Sequence, residues 1–267
     1  MAEYELGVIG GGNMGEALVR GVVAAGVIKP GKIVVSDPVA ERRQAMSRIG
    51  VCAVEDNLTP AACPQVLLAV KPQVMGEVLE EIAAAVAADA VVTSIAAGVS
   101  TSLIDRKLGG KGRIVRVMPN TPMLVGAGMS AISAGPRAGD SELARAQKLF
   151  GASGQTVLVD ESMIDAVTAV SGSGPAYFFY LIEAMIEAGV AEGLEAGAAG
   201  KLAAQTCAGA AKLLEETGEA PQALRARVTS PGGTTERAIE TMDAAGVKEA
   251  LVKAVRAAAA RSREMGT

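Results

Sequence analysis

Residues 6–15 read LGVIGGGNMG, four apolar residues followed by a glycine run that opens a helical pattern at Asn13. Gly10, Gly12 and Gly15 have the spacing G-x-G-x-x-G. Between a strand and a helix, the first glycine permits a tight turn and the second lets the backbone approach a pyrophosphate. The third lets the helix pack closely on the strand, and N–H groups at the helix N-terminus hold the pyrophosphate. The stretch therefore predicts a Rossmann domain that binds a dinucleotide.

Outward from this loop, short β-branched runs alternate with helical patterns. The predicted strands are Leu6–Ile9, Ile33–Ser36, Val66–Val70, Val91–Ile95, Ile114–Val117, Met129–Ile132 and Thr156–Val159. The predicted helices are Asn13–Ala25, Val39–Ile49, Gln73–Val86, Thr101–Lys107 and Ser141–Phe150. The first five strands are apolar on both faces, as in a parallel sheet covered by helices. The pattern predicts the α/β class, an N-terminal doubly wound Rossmann domain with a mostly parallel sheet.

The rest of the chain changes character, because β-branched runs disappear. The predicted helices there are Ile164–Val170, Pro175–Glu192, Ala196–Glu216, Pro221–Val228, Thr235–Ala244 and Val247–Met265. Within them, residues 175–190 are apolar nearly all round, which favours burial against a second subunit. We predict a Rossmann domain over residues 1–161 and a C-terminal all-α dimerisation domain over residues 162–267.

Composition argues against several classes of function. The net charge is only −4 and no basic cluster occurs, so nucleic acid is not an expected partner. No apolar stretch reaches the ~18–20 residues of a membrane span, so no membrane partner is expected either. Cys52, Cys63 and Cys207 lack metal-ligand spacing and are interpreted as buried, reduced thiols in a soluble cytoplasmic protein.

The chain contains no histidine. This excludes Ser-His-Asp and Cys-His nucleophiles, HExxH zinc sites and the commonest general acid–base. Catalysis would then depend on a cofactor, on carboxylates or lysine, or on hydroxyls and backbone dipoles.

The end of the second predicted strand bears on the choice of dinucleotide. Asp37 lies at about the expected ~20 residues beyond Gly15, where an acid accepts from the adenosine 2′-hydroxyl and favours NADH. Arg42 and Arg43 could instead neutralise a 2′-phosphate, which would favour NADPH. Asp37 could also be a helix N-cap, alone or in addition.

Two further segments follow predicted parallel strands. Residues 69–72, Ala-Val-Lys-Pro, and residues 96–98, Ala-Ala-Gly, lie at carboxyl ends, where open α/β sheets bind ligands. Small residues at 96–98 leave room for a flat nicotinamide ring. Lys71 has the alternative of being an ordinary solvated charge.

Two loops of the helical half combine glycines, hydroxyls and a helix start. Residues 171–175 read SGSGP and residues 229–235 read TSPGGTT. Such loops hold an anion, for example a carboxylate, although Ser and Thr also cap helices. The paired glycines and threonines exceed what capping requires, so we favour a functional role for residues 230–235. For residues 171–174 close helix packing is an equal alternative.

Taken in order, these segments resemble the pyrroline-5-carboxylate reductase family. The matching segments are Gly10–Gly15, Ala69–Gln73, Arg116–Pro122, Ser171–Tyr177 and Val228–Thr235. They span nearly the whole chain, and the last corresponds to the signature region of the family.

The resemblance implies hydride transfer from NADPH or NADH to the C=N bond of 1-pyrroline-5-carboxylate, which yields L-proline, the last step of proline biosynthesis. It implies a homodimer formed through the helical domain, often within a decamer, and no metal. The implied substrate-binding residues are Ser230, Gly232, Gly233, Thr234 and Thr235, with Thr235 catalytic beside the ring nitrogen. The implied cofactor-binding residues are Gly10, Gly12, Asn13, Met14, Gly15, Ser36, Asp37, Asn57, Ala69, Val70, Lys71, Pro72, Ala96 and Ala97. Members that favour NADPH commonly lack an acid at position 37, so the preference stays open.

Two alternatives remain at this level. One is another NAD(P)-dependent reductase of the β-hydroxyacid dehydrogenase type, which would rely on a catalytic lysine in the helical half. The lysines there lie within helices without a Gly-rich neighbour, which counts against it. The other is a non-catalytic dinucleotide sensor, which would not need the loop at residues 230–235.

Overall fold

A computed structural model describes residues 4–265, so the outer ends of both predicted domains lie outside the described residues. Its sheet has eight strands in the order β3-β2-β1-β4-β5-β6-β7-β8. The strands are β1 Leu6–Ile9, β2 Ile33–Ser36, β3 Cys52–Val54, β4 Gln65–Leu68, β5 Val91–Ser94, β6 Arg113–Met118, β7 Gly128–Ala134 and β8 Gly154–Leu158. The predicted Rossmann sheet is confirmed.

One pair of strands departs from the parallel arrangement. β6 and β7 pair antiparallel, whereas every other neighbouring pair is parallel. Only a 3-10 turn, Thr121–Val125, lies between β6 and β7. A parallel connection needs a crossover of a dozen or more residues, so this short link forces the chain to reverse.

Six helices accompany the sheet: α1 Asn13–Ala24, α2 Ala40–Arg48, α3 Leu58–Ala61, α4 Met75–Ile82, α5 Thr101–Lys107 and α6 Asp140–Gly151. The helix predicted over Gln73–Val86 is wrong in extent. Pro72 starts a 3-10 turn, Pro72–Val74, and the α-helix ends at Ile82. β3 and α3, of three and four residues, were not predicted because elements this short carry no readable periodicity.

Two apolar clusters cover the two faces of the sheet. Leu18, Val22 and Phe150 belong to one cluster, and Leu79 and Ile104 belong to the other. Burial on both faces is the reason that β1 and β2 read as nearly continuous apolar runs.

The remaining helices are α7 Ile164–Val167, α8 Gly174–Ala191, α9 Ala196–Thr217, α10 Pro221–Arg227, α11 Thr234–Ala244 and α12 Val247–Met265, with a π-helix at Thr168–Gly172 before α8. The all-α prediction is confirmed, but the helix predicted over Ile164–Val170 becomes a single α turn followed by the π-helix. Two compact units result: residues up to Gly172 together with those from Ala258 onward, and Ser173–Ala257.

α8 carries an uncovered apolar surface. Phe178, Phe179, Tyr180 and Leu181 are between 51% and 76% exposed. Nothing within residues 4–265 therefore covers the apolar segment predicted to need a second subunit. None of the helices described within residues 4–265 is long and apolar enough to cross a membrane.

The three cysteines are unpaired but differ in burial. Cys63 is buried, and burial raises the pKa of its thiol to about 11. Cys52 and Cys207 are partly exposed, so the prediction of three buried thiols is wrong for these two. Cys52 lies on the outermost strand, β3, and Cys207 on α9, where neighbouring elements cover them incompletely.

Candidate active site

The glycine loop between β1 and α1 has the geometry that its spacing predicts. Gly10 has φ +105°, and a Cβ there would lie 2.7 Å from the Ala69 carbonyl oxygen. A Cβ on Gly15 would lie 2.3 Å from the Gly10 carbonyl oxygen. Gly12 is the N-cap residue of α1, and its Cβ position has no atom within 4 Å. Gly10 and Gly15 are thus required for packing, while Gly12 faces the space that a pyrophosphate would enter.

Asp37 braces this loop. Its Oδ2 accepts from the Gly11 N–H at 2.8 Å, and its Oδ1 accepts from the Val39 N–H at 2.9 Å. The N-cap residue of α2 is Val39, so the N-cap role considered for Asp37 is wrong. The carboxylate lies two residues earlier because the chain turns through Pro38 before the helix begins. Asp37 therefore places a buried negative charge directly beside the glycine loop.

The two neighbouring arginines have different surroundings. Arg43 donates to the carbonyl oxygens of Asp37 and Pro38 at 2.8 and 2.9 Å and forms an ion pair with Glu55 at 3.2 Å. Arg42 donates to Asn13 Oδ1 at 3.0 Å, which holds its guanidinium against the start of α1. The Arg43 guanidinium is therefore bonded to the turn that precedes α2, whereas Arg42 lies beside the glycine loop at residues 10–15.

Ser36 and Asn57 form a second link at this edge of the sheet. Ser36 is fully buried, and its hydroxyl donates to Asn57 Oδ1 at 2.7 Å. Asn57 Nδ2 in turn donates to Glu81 Oε2 at 2.8 Å. The structure thus brings together two residues, 21 positions apart, that the resemblance assigns to the cofactor.

The segments after β4 and β5 lie at one edge of the sheet because these strands are parallel neighbours. The Ala69 N–H donates to the Ile9 carbonyl at 2.8 Å, which joins the first segment to the end of β1. Ala96 is buried, and Gly98 has φ +74°. Lys71 is exposed, so the structure leaves its alternative as a solvated charge open.

A polar cluster not predicted from the sequence lies next to this edge. Glu161 accepts from the Thr101 N–H at 2.8 Å and from the Thr101 hydroxyl at 2.5 Å, and it pairs with Arg116 at 3.2 Å. The Arg116 side chain is only 10% exposed. The one signal in the sequence was a charged residue inside an apolar strand. The cluster anchors the start of α5, and with it the segment after β5, to the chain beyond β8.

The loop before α11 belongs to the second unit. The Gly233 N–H donates to the Ser230 carbonyl at 3.0 Å, and a Cβ on Gly233 would lie 2.6 Å from Ser230 Oγ. Gly232 has φ +71°, and its N–H donates to Glu236 Oε2 at 2.6 Å. A carboxylate of the chain itself therefore already binds to a backbone N–H of this loop. Both glycines are needed for so tight a turn.

The hydroxyls of this loop are available for a ligand. Thr229 donates to its own helix, at the Arg225 carbonyl oxygen. Within residues 4–265, by contrast, the hydroxyls of Ser230, Thr234 and Thr235 have no hydrogen-bond partner. Next to the first turn of α11 they form a suitable receptor for a small carboxylate.

The doubly wound sheet and the glycine loop define a dinucleotide-binding oxidoreductase of the Rossmann class. Comparison with known proteins identifies the family within this class. Residues 161–265 match the family model described as pyrroline-5-carboxylate reductase dimerisation, and residues 5–98 match the model described as NADP oxidoreductase, coenzyme F420-dependent. A pyrroline-5-carboxylate reductase from a Synechocystis species is 44% identical and is covered over 98% of both chains. The chain belongs to the pyrroline-5-carboxylate reductase family, which confirms the resemblance.

Solved structures agree with this assignment. A pyrroline-5-carboxylate reductase from Coxiella burnetii superimposes with a TM-score of 0.94 at 37% identity, with 99% of each chain covered. The Plasmodium falciparum pyrroline carboxylate reductase with NADP bound gives a TM-score of 0.87 at 30% identity, with both chains fully covered. The likeness extends over both units, so it includes the loop before α11 as well as the dinucleotide loop.

Proposed function

We propose that this chain reduces the C=N bond of 1-pyrroline-5-carboxylate to L-proline with NADPH or NADH, as the last step of proline biosynthesis. The observation that carries the proposal is the pairing of a dinucleotide loop at residues 10–15 with a carboxylate-binding loop at residues 230–235. A dinucleotide sensor would need only the first. A dehydrogenase of the β-hydroxyacid type would need a catalytic lysine that the second loop lacks.

We assign the cofactor to the carboxyl edge of β1, β2, β4 and β5. The proposed contacts are Gly10, Gly12, Asn13, Met14, Gly15, Ser36, Asp37, Asn57, Ala69, Val70, Lys71, Pro72, Ala96 and Ala97. This edge is where ligands bind in open α/β sheets, and the geometry of Gly12 supports the close approach of a pyrophosphate. When bound, the nicotinamide supplies the hydride.

The substrate carboxylate is assigned to the loop before α11. The proposed contacts are Ser230, Gly232, Gly233, Thr234 and Thr235. The hydroxyls of Ser230, Thr234 and Thr235 are the donors, whereas the N–H groups of Gly232 and Gly233 bond within the chain and the two glycines form the turn. Thr235 lies one residue inside α11 and is the proposed hydrogen-bond partner of the ring nitrogen. A protonated imine is already electrophilic, so positioning and exclusion of water can supply most of the rate without a strong general acid. This agrees with a chain that contains no histidine.

The proposal also assigns a role to each domain and an oligomeric state to the protein. Residues 1–161 bind the cofactor, and residues 162–267 bind the substrate and a second copy of the chain, within a decamer of five such dimers. The exposed apolar residues of α8 support the dimer. The unpaired thiols are compatible with a reducing, cytoplasmic location.

The test is the oxidation of NADPH and of NADH, followed by absorbance, with 1-pyrroline-5-carboxylate as substrate and L-proline measured as product. Equimolar consumption of reduced cofactor and formation of proline are expected. Cofactor binding without turnover would favour the sensor. Oxidation of 3-hydroxy acids with NADP⁺ or NAD⁺ in place of imine reduction would favour the dehydrogenase.

A further inference from the structure

The Asn120 side chain has a fixed orientation just beyond the end of β6. Its Oδ1 accepts from the Met129 N–H at 2.8 Å. Because the carbonyl side of the amide is held by a backbone donor, the amide nitrogen must point the other way. There Nδ2 donates to the carbonyl oxygen and to the hydroxyl oxygen of Ser171, each at 3.2 Å.

These contacts determine whether the Ser171 hydroxyl acts as a hydrogen-bond donor or acceptor. An amide nitrogen can only donate, so Ser171 Oγ acts as the acceptor and its hydrogen remains available. Among residues 4–265 this O–H has no acceptor. Thr168, in the same π-helix, differs because its hydroxyl donates to the Ile164 carbonyl at 2.8 Å. Ser171 is therefore a partly exposed donor that Asn120 holds in position.

The position of this donor matches the cofactor edge. Ser94, the last residue of β5, pairs with Arg116 of β6, and Ala96 and Met118 each follow two residues later along these parallel strands. The π-helix packs on this end, since a Cβ on Gly172 would lie 2.9 Å from Met118 Cε. π-helical turns are rare and occur frequently at functional sites. Ser171 also lies in the same compact unit as the cofactor loops, so the sheet fixes its distance from them.

We propose that the Ser171 hydroxyl donates a hydrogen bond to the carboxamide oxygen of the bound nicotinamide, and that Asn120 is the positioning residue that keeps this hydroxyl a donor. The proposal rests on the assignment of the cofactor to this edge. The carboxamide is the acceptor on the flat ring, and a bond to it fixes which face of the ring is presented for hydride transfer.

Two variants test the proposal, because each removes the hydrogen bond that the Ser171 hydroxyl would donate to the cofactor. Ser171→Ala removes the donor. Asn120→Asp keeps the shape and the acceptor for Met129, but its second oxygen accepts from the Ser171 O–H and so consumes the donor. Both should weaken NADPH binding, measured by nucleotide fluorescence, and lower kcat/KM for NADPH by about tenfold. Thr168→Val, which removes the other hydroxyl of the π-helix, is the matched control and should leave both values unchanged.

A cofactor analogue identifies the atom involved. Reduced thionicotinamide dinucleotide phosphate carries sulfur, a weaker acceptor, in place of the carboxamide oxygen. The parent enzyme should bind it less tightly than NADPH, and Ser171→Ala and Asn120→Asp should both abolish most of that difference. An unchanged difference in Ser171→Ala, or a rise only in KM for the imine, would overturn the proposal. Thermal unfolding of each variant verifies that it is folded, and Ser171→Thr, which keeps the hydroxyl, should restore binding.

The binding measurements keep this proposal separate from the proposed reaction. If the parent enzyme binds NADPH but does not reduce the imine, the reaction is wrong, and the loss of binding in Ser171→Ala still decides the role of Ser171. If the imine is reduced and Ser171→Ala binds both dinucleotides as the parent does, only the role of Ser171 is wrong.

Discussion

Asp37 and Thr235 have different physical surroundings, although both are assigned to the active site. Asp37 is buried and accepts from two backbone N–H groups, so its charge is fixed relative to the glycine loop. Thr235 is only partly buried, and its hydroxyl has no partner within residues 4–265, so it contributes little to the stability of the chain. Substitutions at these two positions should therefore act on cofactor choice and on turnover respectively.

We expect Thr235→Ala to lower kcat/KM for 1-pyrroline-5-carboxylate by about one to three decades, the range of a single positioned hydroxyl. Steady-state kinetics at saturating cofactor measure the effect. Thr241→Ala removes a hydroxyl of the same helix that donates to the Arg237 carbonyl, and it should retain parental kinetics. Near-normal activity of Thr235→Ala would exclude this residue from the mechanism.

Asp37→Asn should raise the ratio of kcat/KM for NADPH to that for NADH by about tenfold. The substitution removes a negative charge from the side of the glycine loop to which we assign the adenosine ribose, and repulsion of a 2′-phosphate should fall accordingly. Measuring both cofactors on one preparation gives the ratio. Asp89→Asn, beside the amino end of β5, is the control and should not change it. A ratio unaffected by Asp37→Asn would mean that this carboxylate acts only as a brace.

At the scale of elements, polar contacts between distant segments hold the ends of strands in place. Glu161, at the start of the chain beyond β8, joins the N-terminus of α5 to Arg116 of β6. Such a partly buried ion pair is costly to break from one side, because the remaining charge loses its partner. An ion pair on an exposed helix face contributes little, since water solvates both groups almost as well.

The free energy of unfolding should fall by about 2 kcal/mol in Glu161→Gln, less than for a fully buried pair because the Glu161 side chain is 27% exposed. Urea unfolding at a fixed protein concentration measures it. Glu240→Gln breaks an i,i+3 pair in which both side chains are more than half exposed, and it should cost less than about 0.5 kcal/mol. Equal losses in the two variants would show that the Glu161 cluster is no more than a surface contact.

The exposed surface of α8 bears on whether the protein is a monomer or a dimer. Its exposed aromatic residues are consecutive, as at an interaction surface, and the family model that matches residues 161–265 is named for dimerisation. In a two-fold symmetric dimer each residue of the interface contributes twice, so one substitution has a doubled effect.

Phe179→Asp should raise the dissociation constant of the dimer by at least about a hundredfold, because two buried rings are lost per dimer at roughly 1.5–3 kcal/mol each. Sedimentation velocity over a concentration series gives the constant. Val125→Asp introduces the same charge at a residue that is 81% exposed in the other unit, and it should remain dimeric. A Phe179→Asp variant that dissociates no more readily than Val125→Asp would exclude α8 from the interface.

Local patterns of residues were enough to predict part of the fold. The glycine loop at residues 10–15, the bounds of β1, β2 and α12, and the change from α/β to all-α were predicted because strand periodicity, helix periodicity and glycine spacing act over a few neighbouring residues. The resemblance also identified the family and the loop at residues 230–235. No local pattern, however, distinguished a ribose-binding acid at Asp37 from a helix N-cap.

Contacts between residues far apart in the chain became visible only in the folded molecule. Asp37 contacts Gly11 across 26 positions, Glu161 contacts Thr101 across 60, and Asn120 contacts Ser171 across 51. The reversal of β7 and the π-helix before α8 likewise follow from how the chain closes on the sheet. Hydrogen bonds between segments so far apart depend on the packing of every element between them, and no periodicity in the sequence records that packing.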